Sequence, residues 1–99
     1  MKYKIVVAFD TFLERFMPPQ AINDMLDEDI IESNRRAVLN GSIPADKAKN
    51  LVIFKLANFD DVSGELTKLD KPVKLCDLAK FLPREKLITE VKTNVNESN

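Results

Sequence analysis

The chain has 99 residues, of which 44% are hydrophobic and 31% charged, a balance typical of one folded domain rather than of a disordered segment. Its 15 basic and 16 acidic residues give a net charge of −1, which excludes an overall field that attracts DNA or an anionic membrane. Histidine is absent and Cys76 is the one cysteine, so histidine-dependent catalysis, a Cys/His zinc site and an intrachain disulfide are excluded. We expect neither a cofactor nor a metal.

The first predicted element is a β-strand over residues 3–9, because apolar residues recur there at every second position. The apolar run is too short for a secretion signal or a membrane span, so we expect a protein of the cytoplasm. After the strand, Pro18-Pro19 removes two backbone donors and predicts an extended elbow. The residues on one face of the strand are Tyr3, Ile5, Val7 and Phe9.

A helix is predicted over residues 26–39. Acidic residues crowd its first turn, Arg35-Arg36 lie near its end, and Asn40-Gly41 supplies a left-handed stop. The apolar stripe of this helix is narrow, so we expect it to cover a sheet on one side and to face water on the other.

Two more strands and a second helix follow. Residues 51–57 form the strongest strand pattern, and residues 58–64 have the composition of a hairpin turn in which Gly64 takes a positive φ. Residues 65–69 return as a shorter strand, and residues 73–82 are predicted to be helical. The helix prediction depends on the spacing of Leu75, Leu78, Ala79 and Leu82.

The predicted fold class is α+β, a small mixed α/β arrangement. Its three-stranded sheet follows the order strand, helix, strand, strand, helix, with both helices packed on the sheet. The first helix is then a crossover, which predicts that the first two strands run parallel. Residues 1–83 form the single predicted domain, and the polar residues 84–99 form a flexible C-terminal tail.

The adjacent carboxylates Asp60 and Asp61 are a candidate metal or acid–base site. Two carboxylates without a third ligand nearby bind calcium or magnesium weakly, whereas aspartates ahead of Ser-Gly are typical of a hairpin turn. We therefore interpret Asp60, Asp61 and Gly64 as structural residues of a turn. Pro18 and Pro19 are structural residues of the elbow in the same sense.

Local groups of cations can bind phosphates even in a chain of net charge −1. The candidate nucleic-acid contacts are Arg35, Arg36, Lys74 and Lys80. Aromatic rings on an uncovered sheet face can stack on bases, and the candidates for this are Tyr3, Phe9 and Phe54. The alternative is that the cations are solvated and the rings belong to the core, since no basic stripe outweighs its acidic neighbours.

Three motifs follow one another along residues 1–82. The first is Met-x-Tyr-Lys-Ile with Asp10, ahead of Phe16-Met17-Pro18-Pro19, and the second is a helix with an arginine in its second half that ends at Asn40. The third is Phe54-x-Leu-x-x-Phe-Asp60-Asp61-x-x-Gly64, followed by Leu69-Asp70-Lys71-Pro72-Val73. Together they resemble the small nonstructural protein of gokushoviruses, single-stranded-DNA phages of the microvirus group. Residues 20–50 and the tail depart from the family pattern.

The resemblance implies a viral protein of the host cytoplasm that acts in the switch from duplex replication to single-stranded DNA synthesis and packaging. Our leading hypothesis is a non-enzymatic phage protein that contacts single-stranded DNA or the phage replication and packaging proteins. The alternative is a protein-interaction module that binds a host factor, a replication protein or the procapsid without contacting DNA. We expect no enzyme, because only carboxylates and lysines remain as catalytic groups.

The sequence also predicts a homodimer. Two short helices cover about one face of a three-stranded sheet, and the second face would expose a large apolar patch that a second copy can bury. The alternative is a monomer with one helix on each face. The two predicted faces of the strand at residues 51–57 and its extension are Leu51, Ile53, Ala57 and Phe59, opposite Val52, Phe54 and Leu56.

Overall fold

The structure is a computed structural model that describes residues 1–23 and 25–83. The predicted tail, residues 84–99, lies outside the described residues. In chain order the strands are β1 (Lys2–Asp10), β2 (Arg15–Phe16), β3 (Gln20–Asn23), β4 (Leu51–Asp60) and β5 (Leu66–Asp77). The helices are α1 (Asp27–Leu39), the short α2 (Ala45–Ala48) and a 3₁₀ helix at Leu78–Phe81.

The five strands form one sheet in which all described pairs are antiparallel. β1 lies between β4 and the short strands β2 and β3, which follow one another along its other side, and β5 pairs with β4 at the opposite edge. Met17 donates its backbone N–H to the carbonyl of Ala8 at 2.8 Å, but Pro18 and Pro19 have no N–H to donate. The predicted elbow is therefore a break within an edge strand.

The predicted α+β class, a three-stranded sheet in the order strand, helix, strand, strand, helix with both helices packed on it, is wrong. The described residues form a five-stranded antiparallel sheet with one long helix, α1. The prediction missed residues 15–23, which return along β1 as β2 and β3. As a result α1 connects β3 to β4, and both of these strands run antiparallel to β1 on its two sides. The crossover exists, but it joins the two strands that flank β1 rather than β1 and a parallel neighbour.

The second predicted helix, over residues 73–82, is also wrong. Residues up to Asp77 continue β5, in which Cys76 pairs with Ile53, and only Leu78–Phe81 form a 3₁₀ helix. An isolated helix of about ten residues is marginal in water. Pairing with β4 instead satisfies the backbone groups along an edge that would otherwise be open.

The helix predicted over residues 26–39 is confirmed as α1, Asp27–Leu39. Three acidic residues occupy its first turn and Arg36 lies in its last, so the charges at both ends complement the helix dipole. Gly41 follows with a φ of +84°, the left-handed conformation that glycine adopts without strain and that ends many helices.

The core lies between α1 and one face of the sheet. Leu78 and Leu82 belong to it, so these two leucines contribute to the core although the segment is not an α-helix. Ala8 and Leu51 pack around them from the sheet. The buried residues of this cluster are Val38, Ala48, Ile53, Leu78 and Leu82.

A charged contact fixes the start of α1 on the same face. One carboxylate oxygen of Asp27 lies 3.1 Å from the ammonium of Lys4 on β1 and 3.2 Å from that of Lys55 on β4. The side chains of these lysines are only 13% and 18% exposed. This cluster could not be predicted from the sequence, because Lys4 and Lys55 come together only through the pairing of β1 with β4.

Candidate functional site: the helix-free sheet face

The face of the sheet opposite α1 is apolar. Alternation along β1 places Tyr3 and Phe9 on it, and the strand register places Phe54 of β4 beside Val7. We call this surface the helix-free face. In the described part of the chain, its residues on β1, β2 and β4 are Tyr3, Ile5, Val7, Phe9, Phe16, Val52, Phe54, Ala57 and Phe59. The register adds Leu66, Lys68, Lys74 and Asp77 of β5 as its border. The core cluster beneath α1, as far as the structure describes it, contains none of these residues.

A β-bulge in β4 decides which residues share the helix-free face. The register of β1 with β4 shifts between Ile5 and Val6, where Leu56 is the extra residue of β4. An extra residue reverses the alternation of the strand beyond it, so the predicted faces of β4 are wrong. Ala57 and Phe59 lie on the same side as Val52 and Phe54, not on the side of Leu51 and Ile53.

Five aromatic rings lie on the helix-free face in two groups. At one end the ring centroids of Tyr3 and Phe59 are 6.3 Å apart. At the other end the ring of Phe16 lies 4.8 Å from that of Phe9 and 6.0 Å from that of Phe54, in tilted and edge-on geometries that aromatic pairs favour. All three stacking candidates of the sequence analysis are thus on this face. The contribution of Phe16 was missed, because it depends on the short β1–β2 hairpin.

The aromatic rings form the outer layer of the helix-free face, and smaller buried side chains form its base. Val7 and Ala57 are only 4% and 5% exposed, although they lie on the face that α1 does not cover. Phe16 is 51% exposed, and the other four rings are half-buried. The helix-free face is therefore well packed at its base and open at its outer layer in the described residues.

Two concave regions flank the sheet. A shallow cavity of about 330 Å³ lies at the end of the sheet near the β4–β5 turn, where Lys2, Asn58 and Thr67 help to line it. The strand register places these three residues on the side of the sheet opposite the rings, so the cavity does not extend the helix-free face. A cleft of about 410 Å³ lies between α1 and the strands β1 and β3, where Ile22 and Ile30 line it.

The candidate lysines lie at the end of β5. A carboxylate oxygen of Asp77 is 2.7 Å from the ammonium of Lys74 and 3.7 Å from that of Lys80. The register places Lys74 beside Phe54 and Asp77 beside Val52, which is the border of the helix-free face. The hydrogen bond from Lys74 is the main cause that lowers the pKa of Asp77. Two positive charges therefore share one carboxylate.

The candidate arginines lie on an exposed side of α1. Arg35 donates two hydrogen bonds of 2.8 Å to the two oxygens of Glu32, and Arg36 donates a longer one of 3.5 Å. The hydrogen bond from Arg35 is the main cause that lowers the pKa of Glu32 to about 2. Here too, two cations share one carboxylate, on a different element from the lysines.

The candidate turn residues have the geometry that a hairpin needs. A carboxylate oxygen of Asp60 accepts hydrogen bonds from the backbone N–H groups of Val62 at 2.9 Å and Ser63 at 3.4 Å. The bond from Val62 is the main cause that lowers the pKa of Asp60, and Gly64 takes a φ of +74°. The neighbouring Asp61 contacts the N-terminal ammonium group. Both carboxylates are thus engaged within this end of the sheet.

The Cys76 thiol offers little nucleophilic chemistry. Cys76 is half-buried on the side of the sheet that α1 covers, and burial raises the pKa of its thiol to about 11. A thiol that stays protonated is a poor nucleophile. Within residues 1–23 and 25–83, no group of three or more Cys, Asp or Glu side chains could hold a metal ion.

The fold and the site define a small, mostly antiparallel sheet protein with one apolar face covered by a helix and the other open in its described part. Comparison with protein-family models, with curated proteins and with solved structures found no match to this chain. In the described ranges, none of the helices is both long and apolar enough to cross a membrane. The gokushovirus resemblance therefore stays a prediction.

Proposed function

We propose that this chain is a non-enzymatic phage nonstructural protein that acts in the switch to single-stranded DNA synthesis and packaging. We further propose that it acts by binding a protein through the helix-free face. The observation that carries the second statement is the open layer of aromatic rings on that face. The phage role comes from the order of the sequence motifs.

The composition of the helix-free face favours a protein ligand. Contiguous apolar patches with a polar border mark interaction sites, and aromatic residues are enriched at the centre of protein interfaces. Phe16 contacts two other rings and is still 51% exposed, so it can insert into an apolar surface of a partner. This is the behaviour of an interface anchor.

The cations favour a protein ligand over DNA. Affinity for DNA comes largely from basic side chains that neutralise phosphates. The register places Lys68 and Lys74 along the helix-free face, but Lys74 already contacts Asp77. Arg35 and Arg36 lie on α1, which covers the other face, and both contact Glu32. The net charge of −1 adds no attraction at longer range.

A second candidate function, direct binding of single-stranded DNA, is favoured by the rings themselves. Tyr3–Phe59 and Phe9–Phe16–Phe54 form two platforms, and stacking of a base on an aromatic ring is worth about 1–3 kcal/mol. Fluorescence anisotropy of a labelled oligonucleotide at about 50 and about 200 mM salt separates the candidates. Binding that weakens with salt supports direct DNA contact, whereas no binding at either salt concentration supports protein contact.

The substitution Phe16→Lys tests the proposed function. Phe16 lies on an edge strand and is 51% exposed, so lysine fits the fold but places a charge among the rings. We expect phage with Phe16→Lys to replicate duplex DNA and to lose single-stranded DNA about tenfold or more, as expected for the loss of an interface anchor. Phe12→Lys is the matched control, because Phe12 lies in the turn of the same hairpin and is 79% exposed.

The amounts of duplex and single-stranded phage DNA in infected cells are the readout. Thermal melting of the purified variants checks that both keep the fold. Normal accumulation of single-stranded DNA by the Phe16→Lys phage contradicts the proposed function. Loss of single-stranded DNA in the Phe12→Lys phage to the same extent also contradicts it, because the effect would not be specific to the helix-free face.

A further inference from the structure

We infer that the protein bound by the helix-free face is a second copy of this chain, in a two-fold symmetric dimer whose sheets pack face to face. The inference rests on the proposed function, because it names the partner of the same surface. In this dimer, the outer layer of rings on each copy covers the outer layer of rings on the other copy.

The area of the helix-free face matches what a dimer needs. β1 has 9 residues and spans about 30 Å at about 3.3 Å per residue. Four strands side by side, with the border strand β5 included, are about 19 Å wide at about 4.8 Å each. The flat outline of the sheet on this side is therefore about 600 Å² on each copy, or about 1,200 Å² in the dimer, against about 1,200–2,000 Å² of accessible surface buried at specific interfaces.

The packing of the face is that of half a β-sandwich. Two sheets that pack face to face lie about 10 Å apart and interdigitate the side chains of their inner faces. Val7 and Ala57 are already buried at the base of the face, so a second sheet has only the outer layer to cover. Because each copy uses the same face, the contact closes on itself and does not propagate into a fibre.

The charges at the border permit this contact. The border strand β5 contributes Lys68, Lys74 and Asp77 to this side, and Lys74 lies 2.7 Å from Asp77, so the border carries charges of both signs. The opposite face of the sheet is less suitable, because α1 and the core cluster already cover it.

Gel filtration with light scattering, on the full chain at micromolar concentration, tests the dimer. We expect the wild type and Phe12→Lys to have a mass of twice 11.3 kDa. We expect Phe16→Lys and Phe54→Lys to have half that mass, with circular dichroism spectra like that of the wild type. Phe54 lies at the centre of the face, so the two variants probe its edge and its middle.

Three results overturn the dimer: a wild-type mass near 11.3 kDa, larger polydisperse species, or a dimer that survives both substitutions. The dimer and the proposed function can also fail separately. If the wild type is a monomer while the Phe16→Lys phage loses single-stranded DNA, only the dimer is wrong. If the wild type is a dimer while that phage makes normal single-stranded DNA, only the proposed function is wrong.

Discussion

The carboxylate of Asp27 connects α1 to the two central strands of the sheet. Lys4 comes from β1 and Lys55 from β4, and both ammonium groups lie within 3.2 Å of the same oxygen. A mostly buried ammonium is unfavourable unless it is paired, so each lysine depends on Asp27. The hydrogen bond from Lys4 is the main cause that lowers the pKa of Asp27 below its ordinary value.

Asp27→Asn should destabilise the fold at neutral pH by about 1 kcal/mol or less, because Asp27 is 41% exposed and water screens the contact. The pKa of Asp27 is lower in the folded chain than in the unfolded chain. The ionised carboxylate therefore stabilises the fold at neutral pH, and this contribution is lost as the pH falls below about 4. Urea unfolding across this range measures it.

The free energies of unfolding of wild type and Asp27→Asn should converge in acid. Asp46→Asn, at an exposed position of α2, is the matched control and should change the stability little at any pH. A difference between wild type and Asp27→Asn that stays constant from neutral pH into acid would show that the charge of Asp27 is not what stabilises α1.

At the scale of elements, the sequence predicted correctly the helix whose two ends are set by its own residues. The acidic first turn and Gly41 fix both ends of α1 within the segment itself, so its prediction succeeded. The segment over residues 73–82 carries a helical spacing, but a strand followed by a 3₁₀ turn also buries Leu78 and Leu82. Residues up to Asp77 form a strand rather than a helix because they pair with the open edge of β4. No local sequence pattern reveals that this edge is open.

Leu78→Ala tests the 3₁₀ helix as part of the core. Leu78 is 0% exposed and packs in the cluster with residues of α1 and β4, so we expect a loss of about 2–5 kcal/mol in the free energy of unfolding. Val62→Ala in the β4–β5 turn, 86% exposed, should change it by less than about 0.5 kcal/mol. Chemical denaturation measures both, and equal stability of the two variants would place Leu78 outside the core.

At the scale of the whole molecule, the helix-free face could be predicted only in outline. The alternation of β1 placed Tyr3 and Phe9 on one face, and the shortage of helices predicted that one face stays open. The membership of the face depends on two long-range features, the bulge at Leu56 and the hairpin that brings Phe16 to Phe9. Neither the bulge nor the hairpin can be recognised from the periodicity of the sequence.

A dimer formed through the helix-free face makes the stability of the fold depend on protein concentration, because dilution favours separate unfolded chains. A tenfold rise in concentration contributes about 0.7 kcal/mol per chain, half of the 1.4 kcal/mol that a tenfold change is worth to the pair. For a domain of this size, we expect the wild-type melting temperature to rise by about 3–5 °C. Phe16→Lys, which should be monomeric, should melt at one temperature throughout, and Phe12→Lys should follow the wild type. Scanning calorimetry over a tenfold concentration range measures all three, and a wild-type melting temperature that stays constant would contradict the dimer.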